Sequence, residues 1–223
     1  MPPVALEGAA RSTARRPSDR RTGRGQATCE RLRRVAACLF VARGYAGVSL
    51  DEIVQAAGGS KTNIYAFYGG KEGLFVAAIE DALGEVLRPL TGADTRGLAL
   101  EEGLTRLGRA LLDALLTPEA LALHRTLIGE TGRFPRLGAA WYAAGPATSQ
   151  RVLARFIAEA GGQGAEEAGG REAARLARLF HDMVAGDLQH RALFQSQPAS
   201  ADERADAVAA AVRALTAVMA RGG

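Results

Sequence analysis

Apolar side chains recur along this chain every three to four residues, and glycine, proline or capping residues separate one such stretch from the next. This spacing is typical of amphipathic α-helices that bury one face. It predicts a first helix over about residues 27–43, which Gly44 ends.

Three shorter helical starts follow, each marked by a cap or by a glycine break. Ser49-Leu50-Asp51-Glu52 has the S-x-x-E form of a capping box and opens a second helix. Ser60 can cap a short third helix, over about residues 61–68, and a fourth helix begins at Lys71. A pair of glycines ends the second helix and another pair ends the third.

The rest of the chain predicts longer helices. The fourth helix ends at Pro89, and Thr117-Pro118, a cap followed by proline at the first helical position, opens a sixth. A second capping box, Ser200-Ala201-Asp202-Glu203, opens the last helix. Further helices are indicated by apolar stripes around residues 100–111, 146–160 and 176–183.

Composition supports an all-α fold, because Ala, Leu and Arg dominate and aromatic residues make up only 5% of the 223 residues. Charge is uneven along the chain. Residues 1–75 hold twelve basic and six acidic side chains, whereas the remainder holds sixteen basic and eighteen acidic ones. The front of the chain is therefore the part expected to meet a polyanion.

Residues 1–25 combine six arginines with Pro, Ser, Thr and Gly, a composition that predicts a disordered arm. Two interpretations stay open, a solvated tail and an arm that lies on DNA. The N-terminus has no signal-peptide core, and no apolar run is long enough to span a bilayer. With only two cysteines, nine residues apart on one helix, a cytoplasmic protein is expected.

The second and third predicted helices, joined by a glycine turn, suit a helix-turn-helix. Its second helix fits the major groove and needs small or polar side chains at its start, which Lys61, Thr62 and Asn63 supply. The starts of the second and fourth helices would point backbone N–H groups at phosphates. Lys61 and Lys71 are the only lysines of the chain, and both fall in this stretch.

Residues 31–75 resemble the DNA-binding domain of the TetR family. The matching residues are Leu32, Ala36, Leu39-Phe40, Arg43-Gly44-Tyr45, Val48-Ser49-Leu50-Asp51-Glu52-Ile53, Ala57-Gly58, Ser60-Lys61-Thr62-Asn63-Ile64-Tyr65-Ala66-Phe67-Tyr68 and Lys71-Glu72-Gly73-Leu74-Phe75. The resemblance implies a three-helix DNA-binding domain and a larger helical regulatory bundle. It also implies a homodimer that binds a palindromic operator, usually as a repressor released by a small molecule.

The resemblance assigns DNA contacts residue by residue. Phosphate or backbone contacts are implied for Ser49, Leu50, Tyr65 and Lys71, and base contacts for Lys61, Thr62 and Asn63. Three departures stand out: Gly59 replaces a small β-branched residue, Ala66 and Phe67 replace polar or aromatic ones, and Gly69-Gly70 replaces a polar cap. Phe67 and Tyr68 are expected to pack inside the domain.

A second resemblance covers part of the rear half, which is similar to the C-terminal domain of the AefR-like subgroup. Its residues are Arg125-Thr126-Leu127-Ile128-Gly129-Glu130, Arg133-Phe134-Pro135, Leu137, Trp141-Tyr142 and Gly145-Pro146. The predicted division is therefore an arm over residues 1–25, a DNA-binding domain over 26–72 and a ligand-binding and dimerisation domain over 73–223.

Apolar stripes in the rear domain predict an effector pocket and a dimer interface. The pocket candidates are Leu104, Leu107, Leu111, Leu127, Phe134, Trp141, Phe180 and Met183. The interface candidates, on the last two long helices, are Leu176, Leu179, Phe180, Met183, Val208, Val212, Leu215 and Met219. For both sets the alternative is that the stripes simply close the core of one monomer.

Other chemistry finds little support. His181, Asp182, Asp187 and His190 offer too few ligands on one helix face for a metal site, and no cofactor is expected. Spacing suggests no catalytic set, so an enzyme is not expected. Two rival hypotheses remain: a helical binding protein that has lost DNA binding, for which Gly59 and Ala66 would speak, and a helical enzyme.

Overall fold

The structure, a computed structural model, describes residues 17–161, 167–195 and 198–222. All the regular elements in these ranges are helices, as the sequence predicts. They are α1 (Pro17–Arg43), α2 (Leu50–Ala57), α3 (Lys61–Tyr68), α4 (Lys71–Val86), α5 (Arg88–Thr91), α6 (Leu100–Leu115), α7 (Pro118–Thr131), α8 (Pro135–Ala144), α9 (Pro146–Ala160), α10 (Glu167–Gln195) and α11 (Ala201–Gly222).

The predicted helix starts are confirmed together with their caps. The Ser49 hydroxyl accepts a hydrogen bond from the Glu52 backbone N–H at 3.2 Å, and the Glu52 carboxylate accepts one from the Ser49 N–H at 2.7 Å. Hydrogen bonds to the Glu52 carboxylate, first from the Ser49 N–H and then from the Ser49 and Arg43 side chains, lower the pKa of Glu52 to about 2. The same reciprocal pair joins Ser200 and Glu203 ahead of α11. Thr117 caps α7 by accepting from the Ala120 N–H.

The boundaries of two helices differ from the predictions, and α5 was not predicted. The first helix begins at Pro17 rather than near residue 27, residues 1–16 lie outside the described ranges, and the arm over residues 1–25 stays a prediction. Residues 17–25 belong to the same continuous helix, although they include few apolar residues. Pro89 does not end α4, which ends at Val86, because this proline lies in the first turn of α5. The helix α8 was not predicted at all.

Two apolar cores hold the helices together. The first contains side chains of α1 to α4 and is completed by residues of α7 and α8. The second lies in the rear and contains side chains of α5, α6, α9, α10 and α11, besides Leu87 between α4 and α5. Helix α4 continues from the first core to the edge of the second, so the front helices do not form an isolated unit.

The rear core takes up most of the side chains predicted for a dimer interface. Five of the predicted residues are buried within one monomer, and Met219 packs against the same core. The five are Leu176, Phe180, Val208, Val212 and Leu215. Of the predicted interface residues, only Leu179 and Met183, both on α10, are substantially exposed, each at 42%. The α10 and α11 stripes therefore close the monomer core, which is the alternative interpretation of these stripes.

Two glycines inside helices lie in opposite surroundings and provide a test of the packing. A Cβ atom on Gly103 of α6 would overlap the buried ring of Phe156, whereas one on Gly84 of α4 would meet open space. Gly103→Ala should lower the free energy of unfolding by about 1–3 kcal/mol through overpacking. Gly84→Ala, the matched control, should raise it by up to about 1 kcal/mol through helix propensity.

Thermal unfolding of both variants checks this prediction. A chain of this size should shift its Tm by about 2–4 °C per kcal/mol, downward for Gly103→Ala and upward for Gly84→Ala. A rise in Tm for both variants would show that α6 and α9 do not pack as closely as described.

Candidate nucleic-acid interface and internal cavity

Helix α3 turns most of its surface outward. Ile64 is its only fully buried side chain, whereas Lys61 and Thr62 are exposed and Asn63 is half-buried. Tyr65 is 60% exposed. The predicted base-reading residues thus lie together on the first turn of a helix that has little other packing role, while the Tyr65 ring lies near Gly70 beyond the end of this helix.

The ammonium of Lys61 is not free in this structure, because it forms an ion pair of 2.8 Å with Asp51 of α2. Both side chains are more than half exposed. A surface ion pair of this kind contributes only about 0–1 kcal/mol, so a phosphate or a base edge can replace Asp51 as the partner of Lys61.

The other predicted contacts on α2 lie at its exposed start. Ser49 is exposed and Leu50 is half-buried, one residue before and one residue inside the helix. The Ser49 hydroxyl accepts a hydrogen bond from the Glu52 N–H, and the Ser49 side chain also hydrogen-bonds the Glu52 carboxylate, so both of its hydrogen-bonding roles serve the capping box.

The expectation that Phe67 and Tyr68 pack inside the domain is right for one of them. The Tyr68 hydroxyl donates to the Cys29 carbonyl and accepts from the Arg33 guanidinium, each at 3.2 Å, and so ties α3 to α1. Phe67 is 57% exposed, and that prediction is wrong. The α3 helix is so short that Ile64 and Tyr68 fill its inner face, leaving the Phe67 ring in solvent.

Lys71 is held at the start of α4 by Tyr45. Its ammonium donates to the Tyr45 carbonyl at 2.6 Å and lies 4.2 Å from the centre of the Tyr45 ring. Burial, followed by the charge of Arg133, lowers the pKa of Lys71. An ammonium has three donors, and Tyr45 uses one, so the others remain for an anion.

The glycine pairs adopt backbone conformations that other residues rarely take. Gly58 and Gly59 have φ values of +72° and +116°, and Gly69 and Gly70 have +74° and +128°. The departures at positions 59, 69 and 70 thus build tight turns on both sides of α3. Gly70 offers no side-chain cap, so the first N–H groups of α4 have no side-chain acceptor.

A cavity of about 590 Å³ opens between α4, α7, α8, α9 and α10. Of the eight predicted pocket residues, Leu127 and Trp141 line it. Leu104, Leu107, Leu111 and Phe180 lie instead in the rear core, Phe134 packs against Tyr45, and the exposed Met183 is outside the lining. The predicted residues of α6 and the buried Phe180 of α10 pack directly against neighbouring helices, so they do not border the cavity.

One side of the cavity is polar. It carries all three histidines of the chain, His124, His181 and His190, together with Gln189. His124 lies 3.4 Å from the Gln189 amide nitrogen and meets the Trp141 ring edge-on at 5.4 Å. Burial, helped by the nearby His190, lowers the pKa of His124, so its ring favours the neutral form.

Sequence reasoning missed most of this lining. The α10 side chains that line the cavity, between Arg178 and Phe194, were not assigned to the pocket, although they recur at helical spacing, and Tyr142 belongs to the helix that was not predicted. In the ranges that the structure describes, no three His, Cys, Asp or Glu side chains come together as metal ligands. None of the helices searched there has an apolar stretch that could span a bilayer.

Two family models match the chain. One describes bacterial regulatory proteins of the tetR family and covers residues 32–78; the other describes the C-terminal domain of AefR-like transcriptional repressors and covers residues 102–220. No curated protein matches.

Solved structures have the same architecture. A TetR-family transcriptional regulator from Mesorhizobium loti is 28% identical, with a TM-score of 0.68, over 87% of this chain and 98% of its own. The flavonoid-responsive regulator FrrA is 26% identical, with a TM-score of 0.70, over 88% and 97%. A TetR regulator from Agrobacterium tumefaciens, 24% identical over 88% and 94%, has the same fold with a TM-score of 0.59.

Proposed function

We propose that this chain, which belongs to the TetR family of bacterial transcriptional regulators, represses transcription as a homodimer bound to a palindromic operator. A small molecule that enters the cavity then releases the operator. The chain carries a DNA-binding domain and a regulatory domain of this family, whose members act as regulators and are generally not enzymes. We place its action in the cytoplasm, where a bacterial operator is accessible.

The observation that carries the DNA-binding proposal is the exposed first turn of α3. Lys61 and Thr62 face solvent with Asn63 beside them, as readers of base edges in the major groove must. Ser49, Leu50, Tyr65 and Lys71 surround this turn on α2, α3 and α4 and are our candidates for contacts to phosphate. These features favour a functional DNA-binding unit over a protein that has lost DNA binding.

We propose a division into a DNA-binding unit over residues 26–72 and an effector and dimerisation domain over residues 73–223. The caps and glycine turns of the first unit are complete within it. Its apolar core, however, also contains Phe75, Leu127 and Phe134 from the effector and dimerisation domain. A movement of one unit should therefore shift the other.

The dimer interface that we propose is the exposed stripe of α10, and not the buried one. Leu179 and Met183 are each 42% exposed, and one further turn brings Gly186, which allows close approach. On α11, Val218 is 44% exposed beside the exposed Ala214 and Ala217. Two copies of these helix pairs can form a four-helix bundle about a two-fold axis.

The effector that we propose is a small, largely apolar molecule with polar groups. A cavity of about 590 Å³ is within the range of sites for drug-sized ligands. Leu123, Leu127 and Trp141 offer apolar contacts, and His124 and Gln189 offer hydrogen bonds. One similar structure is that of a flavonoid-responsive regulator, so flavonoids are the first compounds to test.

The DNA-binding proposal predicts two different effects of substitution. Lys71→Ala should weaken binding to every duplex alike and lower the slope of log K against log salt by about 1, because it removes a phosphate contact. Thr62→Ala or Asn63→Ala should cost about 1–3 kcal/mol on the operator and relax the preference at one position per half-site. Selection from random duplex DNA supplies the operator, and salt titrations measure both effects.

Uniform losses for all these variants, on operator and random duplex alike, would contradict base reading by α3. No binding of any duplex by the unsubstituted protein would contradict the proposed function itself.

The dimer proposal predicts that Met183→Glu halves the mass measured by light scattering, to the 23.3 kDa of one chain, while helicity stays intact. Phe67→Glu, at a still more exposed apolar side chain on α3, should leave the dimer unchanged. Leu215→Glu should unfold the monomer instead, because it places a charge in the rear core. A monomeric unsubstituted protein at micromolar concentration would refute the dimer.

The effector proposal predicts that an active flavonoid quenches Trp141, the only tryptophan of the chain, and releases the operator over the same concentration range. Gln189→Phe, which fills part of the cavity from α10 and adds no second tryptophan, should abolish both responses and leave operator binding intact. If compounds from a broad flavonoid and aromatic panel neither quench Trp141 nor release DNA, this effector class is wrong.

A further inference from the structure

The regulatory domain contacts the DNA-binding unit through polar side chains of α7. The Glu130 carboxylate accepts a hydrogen bond from the Tyr45 backbone N–H at 3.1 Å. One turn earlier, the Thr126 hydroxyl lies 3.5 Å from the Val41 carbonyl at the end of α1. The turn between α1 and α2 is thus attached to α7 by a charged acceptor from a distant part of the sequence.

Tyr45 is attached on its other side to the start of α4. Its carbonyl accepts the hydrogen bond from the Lys71 ammonium at 2.6 Å, while its N–H donates to Glu130. Both backbone polar groups of one residue are therefore engaged by charged side chains. The Tyr45 ring is fixed as well, because it packs at 4.4 Å from the Phe134 ring and 5.1 Å from the Phe75 ring.

The same helix lines the cavity. Leu123, His124, Leu127 and Ile128 of α7 belong to the cavity wall, and Glu130 follows within one turn. A ligand that displaces this helix must also displace the Glu130 carboxylate, since the backbone of an α-helix is stiff over one turn. Lys71 lies two hydrogen bonds away from the cavity-lining helix.

We propose that Glu130 is a positioning residue for DNA binding: it holds the Tyr45 turn, and that turn holds Lys71 where its ammonium meets a phosphate. The contact links the cavity to the DNA, because the position of α7 sets the position of Lys71. This inference rests on the proposed function and identifies the route by which the cavity acts on DNA. It also explains physically why Glu130, Arg133 and Phe134 occur together, since all three meet Tyr45.

The test is a double-mutant cycle on the full-length protein, with the selected operator and a random duplex. Glu130→Ala should weaken binding to both duplexes by about three- to tenfold and lower the salt slope toward that of Lys71→Ala. The double variant Glu130→Ala/Lys71→Ala should bind no more weakly than Lys71→Ala alone. Glu130→Gln should recover part of the loss, because its amide oxygen can still accept from the Tyr45 N–H.

The matched control is Glu119→Ala, at an exposed glutamate in the first turn of the same helix. It should leave the affinity and the salt slope unchanged. A loss of stability alone would lower the active fraction of Glu130→Ala without changing its salt slope, so the slope separates positioning from a merely structural role.

A second measurement tests the link to the cavity. Saturation with operator should change the emission of Trp141 in the unsubstituted protein and in Glu119→Ala, and this change should be largely lost in Glu130→Ala. Additive losses in the cycle, an unchanged salt slope, or equal Trp141 changes in all three proteins would each overturn the inference. If the unsubstituted protein bound no duplex, the proposed function would fall, and this inference with it.

Discussion

The packing of four aromatic rings at the junction of α1, α4 and α8 is the interaction on which the rest of the arrangement depends. Phe40 and Phe75 meet edge-on at 4.8 Å and are fully buried, and Tyr45 packs against Phe134 at 4.4 Å. The rings come from distant parts of the chain. A unit of one long helix and two short ones buries too little apolar surface to be stable by itself, and these rings supply the missing core.

This shared core changes what a domain boundary means here. The caps and turns of the DNA-binding unit are local, but its interior is closed by Leu127, Phe134 and Leu137 from the regulatory part. Movement of α7 or α8 is therefore transmitted directly to the interior of the front unit. No separate hinge or linker is needed for the two parts to influence one another, because they share side chains in one cluster.

Helix α10 shows how one long helix can serve three surroundings. Leu176 and Phe180 face the rear core, His190 and Phe194 line the cavity, and Leu179 with Met183 faces solvent. Apolar residues therefore recur on more of its circumference than one packed face needs. Rotation of α10 by a small angle would alter the cavity wall and the exposed stripe together, so ligand binding and dimer geometry are expected to be coupled.

Sequence reasoning succeeded where structure is determined locally. The starts of α2, α3, α7 and α11 were predicted because a capping side chain and the N–H group that it binds are three residues apart. Helix α8 was missed because Leu137 is its only buried residue, so that it carries no apolar stripe, and because Phe134 provides no side-chain cap. Most of the predicted pocket residues lie outside the cavity for a different reason: an apolar stripe shows that a face is buried, but not whether a helix or an empty space covers it.

The contact between Glu130 and Tyr45 was not predicted either, because the two residues are 85 positions apart and no local pattern connects them. This contact is important for α3, which has few contacts of its own. Ile64 is its only fully buried side chain, and glycine turns with positive φ flank the helix. Such a helix cannot fix its own orientation. Its angle is set at its C-terminal end, where Tyr68 bonds to α1, and just beyond it, where Lys71 bonds to the Tyr45 turn. The exposed first turn of α3 is thus oriented by α1, and α1 is held in turn by α7.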